Sequence, residues 1–90
     1  MEFNYSDLGH LTRGAVVEVN LTGTAANVQL LDSSNFAAYK GGQQHRYYGG
    51  HYTQSPVRIP VPATGRWFVA IDYGGNSGRG TASIKVLSRA

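Results

Sequence analysis

The chain has 90 residues, no cysteine, and eight Lys and Arg against five Asp and Glu, giving a formal net charge of +3. That length predicts one domain, residues 1–90, with a thin core, and the lack of thiols excludes disulfide staples, thiolate metal ligands and cysteine nucleophiles. The longest apolar runs, such as Trp67–Ile71, are far too short to cross a membrane, and the basic residues are scattered with no two adjacent, which argues against a nucleic-acid interface.

Met1-Glu2-Phe3-Asn4 opens with an acid and leads into no apolar core of a secretion signal, so no leader is expected. With no cysteine to staple a secreted mini-domain, a reducing cytoplasmic setting is the expectation. From Ala15 onward the dominant signal is period two. Ala15, Val17, Val19 and Leu21 alternate with Val16, Glu18, Asn20 and Thr22. After Thr22-Gly23-Thr24, which reads as a hairpin turn, Ala26, Val28 and Leu30 alternate with Asn27, Gln29 and Leu31. Asp32-Ser33-Ser34 then offers N-cap oxygens, Phe36 and Tyr39 fall on one helical face, and Gly41-Gly42 stops the run. This predicts one short helix near residues 33–40.

Next comes the octapeptide His45-Arg46-Tyr47-Tyr48-Gly49-Gly50-His51-Tyr52. It holds three of the six tyrosines and two of the three histidines. Three readings compete. In the first it is a strand with a tight Gly49-Gly50 turn or bulge, one of Tyr47 and Tyr48 pointing in and the other out. In the second, tyrosine, Arg46 and a histidine build a stacking platform for a sugar, a nucleobase or a protein partner. In the third the glycines admit a second backbone, as in a homo-oligomer.

Val57, Ile59 and Val61 alternate with Arg58, Pro60 and Pro62, and Pro60 assigns this strand to a sheet edge. Pro62-Ala63-Thr64-Gly65 reads as a turn. Arg66–Tyr73 is apolar on both faces, the mark of the most central strand. Asp72 interrupts it and reads first as a turn former, second as a ligand-facing acid at the rim. Gly74–Gly80 is glycine-rich but leads into a strand, so it lacks the helix N-terminus of a phosphate cradle. A connection is the expected role, with Arg79 as a lesser candidate for ligand contact. Ala82, Ile84 and Val86 alternate with Ser83, Lys85 and Leu87 in a last strand.

His10, His45 and His51 could form a metal site with Asp7 or Asp72 if the Gly49-Gly50 turn brought His45 and His51 together, but nothing else in the sequence points to one, and no serine or aspartate stands in an activating arrangement. Neither a metal, nor another cofactor, nor an enzymatic activity is expected. The strand pattern predicts an all-β fold, a small antiparallel β-sandwich of jelly-roll type.

One ordered series runs through the chain. It consists of Asp32-Ser33-Ser34-Asn35-Phe36, Tyr39, Gly42, His45, Tyr47-Tyr48-Gly49-Gly50, Ser55-Pro56-Val57, Pro62, Gly65, Trp67 and Ile71-Asp72. It resembles a small bacterial all-β family known only as a domain of unknown function. Members of that family occur alone or fused to TIR domains. The resemblance implies a sensing or assembly role and no activity or catalytic residue. A binding or assembly module, with His45, Arg46, Tyr47, Tyr48, His51, Tyr52 and Arg79 as candidate contacts, is the leading expectation. The alternative is a sensor of a small ligand, a nucleotide or a sugar. The partner is an unidentified protein or small ligand.

Overall fold

The computed structural model describes residues 4–23, 25–73 and 80–87. Seven strands and one helix follow in the order β1 (Asn4–Leu11), β2 (Val16–Leu21), β3 (Ala26–Asp32), α1 (Ser33–Lys40), β4 (Tyr48–Tyr52), β5 (Val57–Pro60), β6 (Gly65–Asp72) and β7 (Ala82–Leu87). They form two sheets, β1-β6-β3-β4 and β5-β2-β7, with every strand pair antiparallel. The fold is the small all-β sandwich expected, with its one short helix where the capping residues place it.

Period two builds the interior. Val17 and Val19 of β2, Val28 and Leu30 of β3, Val57 and Ile59 of β5, and Trp67, Val69 and Ile71 of β6 turn inward into one buried cluster. Glu18, between Val17 and Val19, points outward and accepts from Arg58 Nε at 3.0 Å. Each fully buried aliphatic side chain contributes about 1.5–3 kcal/mol relative to an exposed one. Trp67 brings a polar atom into this core and satisfies it, its Nε1–H donating to the Ala63 carbonyl at 2.9 Å.

β6 is apolar on both faces because both faces are covered. Its opposite row, Phe68 and Ala70, lies with Leu31 under the helix residues Phe36 and Tyr39 in a second apolar cluster. Phe36 and Phe68 stack at 4.2 Å. The helix is held at its start by Asp32, whose Oδ1 accepts from the Asn35 backbone N–H at 2.9 Å. At its end the Gly41 N–H donates to the Ala37 carbonyl at 3.0 Å. β6 is interior to its sheet, and β5, with Pro60, is an edge strand, as the sequence indicates.

Two expectations are corrected, and one strand was not foreseen. Thr22-Gly23-Thr24 does not join a hairpin, since β2 and β3 belong to different sheets and the chain crosses between them there. Gly49-Gly50 is not a turn. Both lie inside β4, which pairs with β3 in unbroken register from Ala26↔Tyr52 to Leu30↔Tyr48. Asn4–Leu11 forms an eight-residue strand that the alternation does not announce.

Candidate functional site

β4 is one edge of the four-stranded sheet, so only one side of its backbone is paired. Alternation along it sets two rows. Tyr48 and Tyr52 fall opposite Leu30 and Ala26 on the core side, and Gly49 and His51 fall opposite Gln29 and Asn27 on the outer side. Tyr52 is half-buried against the core cluster. Tyr48 meets Trp67 edge-on at 6.1 Å yet remains 49% exposed, because no strand lies beyond it.

Tyr47 is also exposed, at 46%. The expected division of Tyr47 and Tyr48 into one inward and one outward ring does not occur. Tyr47 precedes the strand, and Tyr48, though on the core side, projects past the sheet edge. The two rings therefore present adjacent aromatic surface on either side of the edge.

The segment leading into β4 is pinned from two directions. The Arg46 backbone N–H donates to Asn35 Oδ1 at 2.7 Å, and Asn35 Nδ2 donates to Asp32 Oδ1 at 2.9 Å, which ties the segment to the helix cap. His45 is fixed more tightly. Its Nδ1–H donates to the Gln43 carbonyl at 3.0 Å, and its Nε2 lies 2.9 Å from Gln29 Oε1 on β3. A doubly protonated ring satisfies both contacts directly, and a neutral ring does so with the Gln29 amide turned over. The ring stands 5.1 Å from Tyr39, edge-on, and 5.6 Å from Tyr47. His45 thus ties the segment before β4 to β3 and stands beside Tyr47.

His51 begins a polar row across the outer face. Its Nδ1–H donates to Asn27 Oδ1 at 3.1 Å, and Asn27 Nδ2 donates to Asp72 Oδ1 at 3.0 Å. Asp72 is buried, and its charge acts on Tyr39 of the helix. Burial, and after it the Asp72 carboxylate, pushes the Tyr39 hydroxyl pKa up. Four elements, β4, β3, β6 and α1, are linked through this row.

Of the sequence candidates, the structure brings His45, Arg46, Tyr47, Tyr48, His51 and Tyr52 to one edge. Arg79 and the glycine-rich stretch 74–79 lie outside the described residues. Sequence reasoning did not join Asn27, Gln29 and Tyr39 to the site. The available signals were the polar alternates of β3 and the single acid, Asp72, at the end of an apolar strand.

Among the described residues no group of three or more His, Asp or Glu is placed to hold a metal ion. None of their helices is long and apolar enough to cross a membrane. A shallow cleft of about 380 Å³ is lined by Asp32, Ser33, Ser34, Thr64, Arg66 and Trp67 among others, and Trp67 is also the ring that Tyr48 meets edge-on.

The model of a family described as "Domain of unknown function (DUF1883)" matches residues 1–90. No curated protein and no solved structure matches the chain.

Proposed function

The chain belongs to the DUF1883 family, and from that premise we propose that it is a non-catalytic binding or assembly module whose contact surface is the β4 edge. The observation that carries this is the pair of neighbouring tyrosines, 46% and 49% exposed, on an edge held in place by the Asn35 side chain of α1 and the backbone ladder of β3. Tyrosine gives large contact area with few rotatable bonds and a polar tip, which is why it dominates binding hot spots. Solvating two such rings side by side on a small domain has no structural benefit of its own. A bacterial setting, which rests on the resemblance described above, and a cytoplasmic one, which rests on the lack of cysteine, belong to the same proposal.

The test is photo-crosslinking from inside the native cell. A benzophenone side chain at position 48 captures a partner that the same group at position 5 does not. Tyr5 is an equally exposed tyrosine on the opposite edge of the sheet, so equal capture from both positions overturns the assignment.

A second reading, a small-ligand sensor, is favoured by one observation. The cleft between the helix start and residues 63–67 is lined by Trp67, the ring that Tyr48 meets edge-on. A thermal-shift screen against nucleotides and sugars decides it. A true ligand at about 100 times its dissociation constant adds roughly 2.7 kcal/mol, and no shift from any of them removes the sensor within those classes.

A further inference from the structure

Each sheet leaves a strand open on either side, and an open strand offers its unpaired backbone groups to any second strand that fits. Among the described residues three of the four edges resist pairing with their own copy. β5 ends in Pro60, which has no N–H to offer, and carries the exposed Arg58. β1 has its register broken between Asp7 and Gly9. β7 would bring two exposed copies of Lys85 to one seam. β4 has none of these. Its ladder with β3 is regular, and it contains no proline and no Lys, Arg, Asp or Glu.

β4 also matches itself when reversed, with a tyrosine at each end and a glycine at its centre. Set antiparallel against a second copy about a two-fold axis at Gly50, all five of its residues pair. Tyr48 falls opposite Tyr52 of the second copy, Gly49 opposite its His51, and Gly50 opposite its Gly50. Residues directly opposite in an antiparallel pair share a face. Each Tyr48–Tyr52 pair therefore lies on the core side, in the row that already holds both rings. Tyr48 is 49% exposed because its own sheet ends there, and Tyr52 of the second copy covers it. The two copies of His51 each face a glycine instead of one another, and Asn27 holds each to its own sheet. No like charges meet in this seam.

We propose that the chain forms a two-fold dimer by antiparallel pairing of β4 with β4 of a second copy, joining two four-stranded sheets into one of eight. This rests on the proposed function and names its partner as the chain itself. Main-chain hydrogen bonds along the open side of β4 supply the binding, and the two tyrosine pairs fix the register. A seam of five residues is at the small end of interface size, so the dimer is weak and forms as concentration rises.

The test is sedimentation of the chain from about 10 µM to about 1 mM, with amide exchange of the isotope-labelled chain measured at both ends of that range. The expected result is a passage from monomer to dimer, with slower exchange within Tyr48–Tyr52 at the high end. Position 50 is open, with nothing within 4 Å of a Cβ built there, so Gly50→Lys and Gly50→Glu are expected to keep the parent's denaturation curve at low concentration. Each sets like charges opposite one another at the axis and is expected to raise the concentration of half-dimerisation about fivefold or more. Their equimolar mixture sets unlike charges there and is expected to recover the parent's dimerisation. A parent chain that stays monomeric throughout overturns the proposal. So does a dimer with unchanged β4 exchange, and so does a mixture of the two folded variants that dimerises no better than either alone. If position 48 crosslinks a different protein while the chain stays monomeric, self-pairing fails and the tyrosine surface stands.

Discussion

The backbone of Gly49 passes so close to Val28 that a Cβ at position 49 would lie 2.1 Å from the Val28 carbonyl oxygen. Gly49 also has φ of +132°, a region that side chains rarely enter. Gly50 beside it has neither restriction, with nothing within 4 Å of its would-be Cβ. The glycine pair is thus asymmetric. One glycine lets β4 lie against β3, and the other is replaceable.

Gly49→Ala is expected to destabilise the fold by about 2 kcal/mol or more, through a backbone clash and an unfavourable φ together. Gly50→Ala is expected to stay within about 0.5 kcal/mol of the parent. Chemical denaturation of the two variants checks this. Equal effects would show that the close approach of β4 to β3 does not control the pairing.

Asp32 anchors the helix start and, through Asn35, the Arg46 backbone. Asp32→Ala is expected to cost about 1 kcal/mol, and Asp32→Asn, which retains a capping oxygen, much less. The two variants also differ with pH. The Asn35 backbone N–H, reinforced by the Asn35 and Ser34 side chains, holds the Asp32 carboxyl below its ordinary pKa. A depressed folded-state pKa means stability that is present above the unfolded value, near 4, and is lost as pH falls through the folded one. Asp7 and Glu18 move the same way through Arg66 and Arg58. Denaturation midpoints are expected to hold down to about pH 4–5 and fall below it, with a shallower fall in Asp32→Asn.

Tyr39 gives the opposite limb. Its raised pKa, caused by burial and then by Asp72, means stability that is complete below the unfolded value, about 10, and lost as pH rises through the folded one. Tyr39→Phe removes this titrating hydroxyl and keeps the buried ring, and is expected to change stability by no more than about 1 kcal/mol near neutral pH. It is also expected to flatten the decline above about pH 10. A decline identical to the parent's would place the alkaline transition elsewhere.

Much of the fold was legible because burial on one face of a strand writes itself as period two. β2, β3, β5, β6 and β7 follow that rule, and Asp32 and Gly41-Gly42 mark both ends of the helix. β1 was hidden because its core-side positions carry Asn4, Ser6 and Gly9, and the bulge after Asp7 shifts its phase. Which strands pair was also hidden. The stretch between Leu21 and Ala26 is short enough for a hairpin, and only the packing of two sheets decides that it crosses between them.

The site was legible as a place more than as an arrangement. Alternation was expected to separate Tyr47 from Tyr48, but an edge exposes both. The partners of His51 and His45 stand 24 and 16 residues away, at Asn27 and Gln29, so no local spacing reveals them.

The central claim is that Tyr47 and Tyr48 form the binding surface. Its most direct test is quantitative recovery of partners from native cells by the parent chain and by the Tyr47→Ala, Tyr48→Ala double variant, with both denaturation curves measured. The account predicts recovery reduced by about tenfold or more, as for paired hot-spot tyrosines, at a stability cost of no more than about 1 kcal/mol for the lost Trp67 contact. Full recovery of every partner by a folded double variant would contradict it.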